Sequence, residues 1–373
     1  HRLPSASSAA MSESEAIRFN IGKKFGEWAI TSRLDEGGFG QVYIVQHRIT
    51  QKQGALKAEA NEVEGGSAIK LEIDVLRVVH AEGEKPHLPV VFHAAKHANY
   101  CYMIMTLLGD NFKALKNTQK KEVLSVPTWS RLAIQSLYAL KIVHDHGFVH
   151  RDIKPNNFVM GFSKDAERAR IVHVLDFGLA RSYAFKKGGQ WQARKARGTA
   201  EFRGTLRYCT PNVHDRLEQG RRDDIWSLFY VLIELHVGLP WQTERDKEKI
   251  ETMKITMSDA DLMVNMPREL KDVISDLRKL NCYSRPDYLG IYKCLLAVMK
   301  RYDVKLDDPY DWEKSDPSKY PPLRPSQPPA WFNPEAFFSS DPIGIDKAPE
   351  KGSSNVKSSK PLLKSLEQSQ SKK

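Results

Sequence analysis

The feature that most constrains this chain is the run His150-Arg151-Asp152-Ile153-Lys154-Pro155-Asn156-Asn157, followed downstream by Asp176-Phe177-Gly178. In the first run Asp152 can accept or orient the proton of an attacking hydroxyl. Lys154 can steady a phosphoryl group in flight as its charge spreads, and Asn157 can offer a neutral oxygen to Mg2+. Asp176 follows the strand-like stretch Ile171–Leu175, at a distance a β-hairpin can span, and can bring a carboxylate to the same cation. Magnesium favours oxygen donors and keeps several waters, so one amide oxygen and one carboxylate suffice. An isolated Asp-Phe-Gly is common by chance. Behind the eight-residue run it is not.

Two weaker signals precede these. Gly37-Gly38-Phe39-Gly40 lies between two strand candidates, where small residues let backbone N–H groups approach phosphate oxygens. Alone, such glycines usually just make a turn. Lys57, at the end of Ala55-Leu56-Lys57, can hold the α- and β-phosphates if a carboxylate fixes it, and Glu72 sits on the first helix that follows. Alone, the two would read as an exposed Lys and Glu. In this order, the four motifs together answer the demands of phosphoryl transfer.

The organisation around them is a β-rich front and an α-rich back. Short strand-like runs at Trp28–Ile30, Val42–Gln46, Ala55–Glu59 and Tyr100–Leu107 surround one helix at Ile69–His80, whose apolar Ile69, Ile73, Leu76 and Val79 share a face. Helical spacing then dominates, in Trp129–Gly147, Ile225–Val237, Leu270–Leu280 and Leu289–Tyr302. The fold class expected is α+β, two lobes with a cleft between them. Of the 373 residues, 1–24 read as a flexible lead-in and 303–373 as a Pro-rich, then Ser/Lys-rich tail, largely disordered. The exception is its aromatics, Tyr310, Trp312, Trp331, Phe332, Phe337 and Phe338, which are costly to leave in water and are expected to dock on the body.

These motifs resemble the eukaryotic protein kinase family from about Phe25 to Tyr302. The resemblance implies a two-lobed domain over residues 25–302, the small lobe ending near residue 107 and the large lobe beginning near 108. It implies ATP and Mg2+ as cofactors and proteins as substrates. Asp152, Lys154, Lys57 and Glu72 would be catalytic, and Asn157 and Asp176 the metal ligands. Gly37, Gly38, Phe39, Gly40 and Lys57 would meet the phosphates. Val42, Ala55 and Val159 would sandwich adenine, with Met105 as gatekeeper and backbone groups near Thr106 and Leu108 pairing with the base. Asp224 resembles the buried Asp that braces the catalytic loop. Where most kinases have Ala-Pro-Glu, this chain has Thr210-Pro211-Asn212, which is similar to the casein kinase 1 superfamily, as are Leu107-Leu108-Gly109 and Gly220-Arg221-Arg222-Asp223-Asp224. Ala55-Leu56-Lys57-Ala58-Glu59 and Pro309-Tyr310-Asp311-Trp312-Glu313 look most like the tau-tubulin kinase branch.

Two departures and the charge complete the reading. Asp35 stands where the family has its first phosphate-loop glycine, and is expected to point to solvent. Asn212 removes a Glu that most kinases pair with an Arg. The net charge of +11 concentrates in Lys186, Lys187, Arg194, Lys195, Arg197, Arg203 and Arg207, against Glu201 alone, and in the loose tail. Beside a peptide groove, such charge favours acidic or already phosphorylated substrates, with Arg207 the leading phosphate contact. The bland alternative is a solvated basic loop. No nucleic-acid motif appears, so specific nucleic-acid binding is not expected. Acidic cytoskeletal surfaces fit the tail lysines. The 4 cysteines share no metal-like spacing, and no apolar run is long enough to span a membrane. A monomer inside the cell, cytoplasmic or nuclear, is expected. The competing reading is a pseudokinase that binds ATP or serves as a scaffold, with Asp35 its only support. Lys154 favours Ser/Thr over Tyr specificity.

Overall fold

The computed structural model of the chain describes residues 17–37, 40–61, 66–320 and 333–349. Six antiparallel strands form the front: β1 (Lys24–Phe25), β2 (Trp28–Gly37), β3 (Gly40–His47), β4 (Gln53–Ala60), β5 (Val91–Lys96) and β6 (Tyr100–Thr106), in the order β1-β2-β3-β4-β6-β5. Alternation along a strand sends successive side chains to opposite faces. Tyr43, Val45, Leu56, Ala58, Tyr102 and Ile104 therefore pack outward with Phe25, Trp28 and Ile30. Val42, Ala55, Met103 and Met105 pack on the other face, which Lys57 shares by its position in β4.

Helix α1 (Ala68–Val79) closes that inner face. Ser67 caps it by accepting a hydrogen bond from the Lys70 amide at 3.1 Å. Its buried stripe of Ile69, Glu72, Val75, Leu76 and Val79 carries one acid among apolar residues, so Glu72 is delivered into the interior by the helix period itself.

The back is built on α3 (Val126–Asp145), with α2 (Phe112–Asn117) before it and α5 (Arg221–His236) and α9 (Tyr288–Arg301) packed against it. Helix α5 is buried along nearly its whole length, as its apolar run predicts. A three-stranded sheet, β10 (Val172–Val174), β9 (Phe158–Gly161) and β7 (Leu108–Asn111), lies under the front lobe. Two small antiparallel pairs follow, β8 (Phe148–Val149) with β11 (Arg181–Ser182), and β12 (Ala184–Lys187) with β13 (Gln190–Ala193). Short helices α4 (Pro211–His214), α6 (Lys247–Thr256), α7 (Asp259–Met263) and α8 (Val273–Lys279) complete the helical body. The α+β, two-lobed architecture is as expected from the sequence.

Beyond Tyr302 the described residues, 303–320 and 333–349, lie on the body. In α10 (Asp311–Ser315) Trp312 is buried and stacks on Tyr310 at 4.7 Å. The Tyr310 ring lies 4.2 Å from the Arg131 guanidinium and 4.7 Å from that of Arg170, and its hydroxyl accepts from Gln135 at 3.0 Å. In α11 (Pro334–Ser339) Phe338 is fully buried and Phe337 stacks on Tyr138 at 3.9 Å. Four of the tail aromatics thus dock, while Trp331 and Phe332 lie outside the described residues. Among the described residues no helix is long and apolar enough to cross a membrane.

Candidate active site

The site forms where the inner face of the front sheet meets the loops between β8, β9 and β10. Lys57 reaches from β4 to Glu72 on α1, Nζ to Oε2 at 2.8 Å, and its Nζ also lies 3.5 Å from Asp176 Oδ1. The backbone amide of Asp176 donates to Glu72 Oε1 at 3.2 Å, so one buried carboxylate holds both the lysine and the following motif. Burial works against the charge on Lys57, yet Glu72 and Asp176 outweigh it and hold the ammonium well above its usual range. Burial likewise opposes ionisation of Asp176. Lys57, His150 and Lys154 overcome it, and the carboxyl stays below its ordinary value. Asp176 adopts φ +69°, in the left-handed region that a non-glycine residue seldom enters. Phe177 beside it is fully buried in the lower core, which pins that turn.

The loop after β8 supplies the other half. Asp152 is nearly buried, and its two carboxylate oxygens are separately engaged. Lys154 Nζ donates to Oδ2 at 2.6 Å and Thr205 Oγ1 donates to Oδ1 at 2.7 Å. Asn157 donates its Nδ2 to the Asp152 carbonyl at 2.8 Å, which fixes the amide and leaves its oxygen as the free end. The loop is braced from α5. Asp224 accepts from the His150 amide at 2.6 Å and the Arg151 amide at 2.8 Å, and His144 Nε2 lies 2.9 Å from the same carboxylate. His150 Nε2 meets the Leu175 carbonyl at 2.9 Å, tying the two motifs together just before Asp176.

The cleft above is lined as the sequence suggests. Val42 pairs across from Lys57 and Ala55 across from Met105, placing them on the inner face, and Ala55, Met105, Thr106, Leu108 and Val159 are buried. The Thr106 amide donates to the Val90 carbonyl at 3.0 Å, so a base would meet its carbonyl instead. Gly37 and Gly40 face each other at the tip of the β2–β3 hairpin. Gly38, Phe39 and the side chain of Asp35 lie outside the described residues, so the direction expected for Asp35 is not tested.

Three guanidiniums cluster below the catalytic loop around one carboxylate. Glu218 takes Arg197 through two oxygens, at 2.7 and 2.9 Å, and Arg181 at 3.3 Å. Arg151 is half-buried nearby. Its pKa is lowered to about 10 by burial and by the positive charge of Arg181 and Arg197. Neither Glu218 nor Thr205 stands out in the sequence as a site residue, because each acts through a partner distant along the chain. At the end of the same segment Asn212 donates to Asp223 Oδ1 at 2.9 Å. The Arg207 guanidinium makes no ion pair with a described residue, while its carbonyl receives Trp241 Nε1 at 2.9 Å.

A nucleotide with Mg2+ fits these donors. Asp176 and Asn157 offer hard oxygens, and Lys57 is held as a charged, positioned ammonium. The described residues contain no cluster of three or more His, Cys, Asp or Glu able to bind a metal alone. A cation here would need phosphate oxygens and water to complete its shell.

Comparison with known proteins agrees with the resemblance read from the motifs. The family model of the protein kinase domain matches residues 28–295. A Caenorhabditis elegans protein named inactive tau-tubulin kinase ttbk-6 is 43% identical over 75% of this chain and 97% of its own length. A provisionally named serine/threonine-protein kinase of the same organism is 37% identical over 79% of this chain and 83% of its own. A provisionally named casein kinase I, also from that nematode, is 33% identical over 77% of this chain and 83% of its own.

Proposed function

The chain belongs to the protein kinase family, on the side of the casein kinase 1 and tau-tubulin kinase proteins, and from that premise we propose that it is an active serine/threonine kinase. It would move the γ-phosphate of ATP to protein hydroxyls with the help of Mg2+. The observation that carries the reading is the continuous set of contacts from Glu72 through Lys57 to Asp176, facing an Asp152 held by Lys154 and Thr205. A scaffold has no chemical need for that arrangement.

Bound ATP and Mg2+ would supply the transferable phosphoryl group and neutralise its charge. Lys57, positioned by Glu72, holds the phosphate end of the cleft. Asp152 orients the incoming hydroxyl and receives its proton, while Lys154 faces the developing charge. Preorganised charges of this kind act without reorganising at the moment of reaction.

The proposed substrates are acidic or already phosphorylated proteins, cytoskeletal ones among them. Lys186, Lys187, Arg194, Lys195 and Arg207 all lack an ion-pair partner among the described residues, which leaves their charge for a substrate. The four cysteines are free, which fits a reducing compartment inside the cell, in cytoplasm or nucleus.

A second reading deserves its own test because one similar protein bears the name inactive. In that reading the chain binds nucleotide or partners without turnover. Transfer of labelled phosphate from ATP with Mg2+ to casein and to a phosphorylated acidic peptide separates the two, with Asp176→Asn as control. Transfer by the parent and not by the variant supports the kinase. No transfer from folded parent protein gives the scaffold reading the weight, with Asp35 the first residue to examine.

A further inference from the structure

Residues 333–349, beyond the family match, pack on the helical body and reach the strand that precedes the catalytic loop. Phe338 is fully buried, stacked on Tyr292 at 4.6 Å and edge-on to Tyr138 at 5.7 Å. Arg285 donates to the Phe338 carbonyl at 3.0 Å and the Ser340 carbonyl at 2.8 Å, and Lys141 Nζ donates to Ser340 Oγ at 3.1 Å. Further on, Ile343 is buried in a small cluster of its own with Val149, Tyr183 and Ala184. Arg221, at the start of α5, binds the Ile345 carbonyl and the Tyr283 carbonyl, and its guanidinium lies 4.7 Å from the Tyr183 ring.

The residues under Ile343 matter because of what they carry. Val149 immediately precedes His150-Arg151-Asp152. Tyr183 and Ala184 follow β11, which leads back to Asp176-Phe177-Gly178. β8 and β11 have two residues each and pair at only two positions, Val149 with Arg181 and Phe148 with Ser182. A ladder that short has little stability of its own. It is extended by the Tyr183 amide donating to the Gly147 carbonyl at 2.8 Å. Gly147 is at φ +85°, and a Cβ there would come within 2.8 Å of the Ala184 carbonyl oxygen. Packing from outside therefore helps to keep the two strands together, and Ile343 supplies the buried part of it, beside the partly buried Trp191 and Ile345 and the Tyr183 hydroxyl that donates to the His144 carbonyl at 2.7 Å.

We propose that residues 334–345 are a latch for the catalytic loop: Phe338 anchors the segment between α3 and α9, and Ile343 holds β8 against β11. Ile343 is a positioning residue, acting on Asp152 and Asp176 only through these strands. The effect on turnover rests on the kinase reading, whereas the effect on the strands does not.

The test uses the full chain with Ile343→Asn, Ile343→Val and Phe338→Ala. Amide hydrogen exchange is read over residues 147–150 and 181–184, and phosphate transfer is measured on the same samples. Ile343→Asn and Phe338→Ala should speed exchange at those amides about tenfold while β3, β4 and β6 keep their protection. They should lower kcat about tenfold with KM for ATP changed less than about twofold, and Ile343→Val should restore both. Unchanged exchange in Ile343→Asn, or a uniform loss of protection across both lobes, overturns the latch. If the starting protein transfers no phosphate, the kinase reading fails and the exchange data still decide the latch.

Discussion

Asn212 donates its side-chain amide to Asp223 at 2.9 Å, at the position where most kinases carry a glutamate. Thr210 Oγ1 donates to the same carboxylate oxygen at 2.7 Å, and the Gly220 amide donates to its partner oxygen at 2.9 Å. The end of this segment is thus fastened to α5 through neutral donors on one acid. Asn212→Ala should cost about 1 kcal/mol by removing one hydrogen bond. Asn212→Glu should cost more, because it replaces a donor with a second carboxylate against the buried Asp223, a repulsion that Arg222 Nε, 3.5 Å from Asp223, offsets only in part. Chemical denaturation of the two variants checks the order. A glutamate variant as stable as the parent would show that this anchor is not electrostatic in the way described.

Glu72 touches no substrate in the proposed reaction, yet it holds both Lys57 and the Asp176 amide. Glu72→Gln keeps the shape and removes the charge. Turnover should fall about 100-fold or more, since Lys57 loses its fixed position. Melting should change much less than activity. Nucleotide affinity, read by the shift in melting temperature with ATP and Mg2+, should weaken. A variant with parental turnover would remove Lys57 and Glu72 from the catalytic set.

Glu218 already occupies the centre of the Arg181 and Arg197 pair, close to Arg151. Elsewhere such an arginine cluster could be ordered by a phosphorylated Thr or Ser. Here a carboxylate of the chain itself does so, and protein treated with phosphatase should keep at least about half its activity. Glu218→Ala should lower activity several-fold and leave three guanidiniums mutually repelling. Loss of activity on phosphatase treatment alone would mean that a phosphorylated residue of the segment, not Glu218, completes it.

The site was more legible in the sequence than its supports. Asp152, Asn157, Asp176, Lys57 and Glu72 sit in short motifs whose residue types are dictated by the chemistry, and the structure brings them together. Helix α1 was readable because its apolar period also fixes where Glu72 points. Glu218, Thr205 and Asp223 are silent in the sequence, because each works through a contact across the chain that no local pattern encodes. The tail illustrates the same limit. Its aromatics announce that Tyr310 docks, but not that the slot is made by Arg131, Gln135 and Arg170, two of them on α3.

That slot carries a prediction for shortened chains. Ending the chain at Tyr302 removes Tyr310, Trp312 and Phe338, and leaves the buried Arg131 without the Leu306 and Pro309 carbonyls to which it donates at 3.4 and 3.3 Å. Loss of a single buried large aromatic costs about 3–5 kcal/mol. The chain ending at 302 should therefore melt at least about 10 °C lower than one ending at 349, or fail to melt cooperatively. Equal melting of the two would show that the tail rests on a body already complete without it.

Acid should destabilise the fold, and two deeply buried histidines help to set the window. Burial pushes His87 down to about 4, and burial together with His87 pushes His173 down to about 3. Unfolded, each takes a proton near pH 6.5. The unfolded chain therefore binds more protons than the native one between about pH 6.5 and 4, so the stability they lend is full above 6.5 and is lost as the pH falls. Asp145 acts in the opposite sense. Burial raises it to about 6 despite Lys141, so the native state binds the extra proton and gains stability as the pH falls from 6 toward 4. Burial also holds His80, His144, His146 and His214 below their ordinary values, and these add to the same uptake of protons on unfolding, so stability should fall as the pH drops from 7 to 5. Denaturant titrations at pH 7, 6 and 5 measure it. Asp145→Asn should steepen the fall, and His173→Asn should make it shallower. A parental profile flat from pH 7 to 5 would mean that the two imidazoles are reached by protons in the native state.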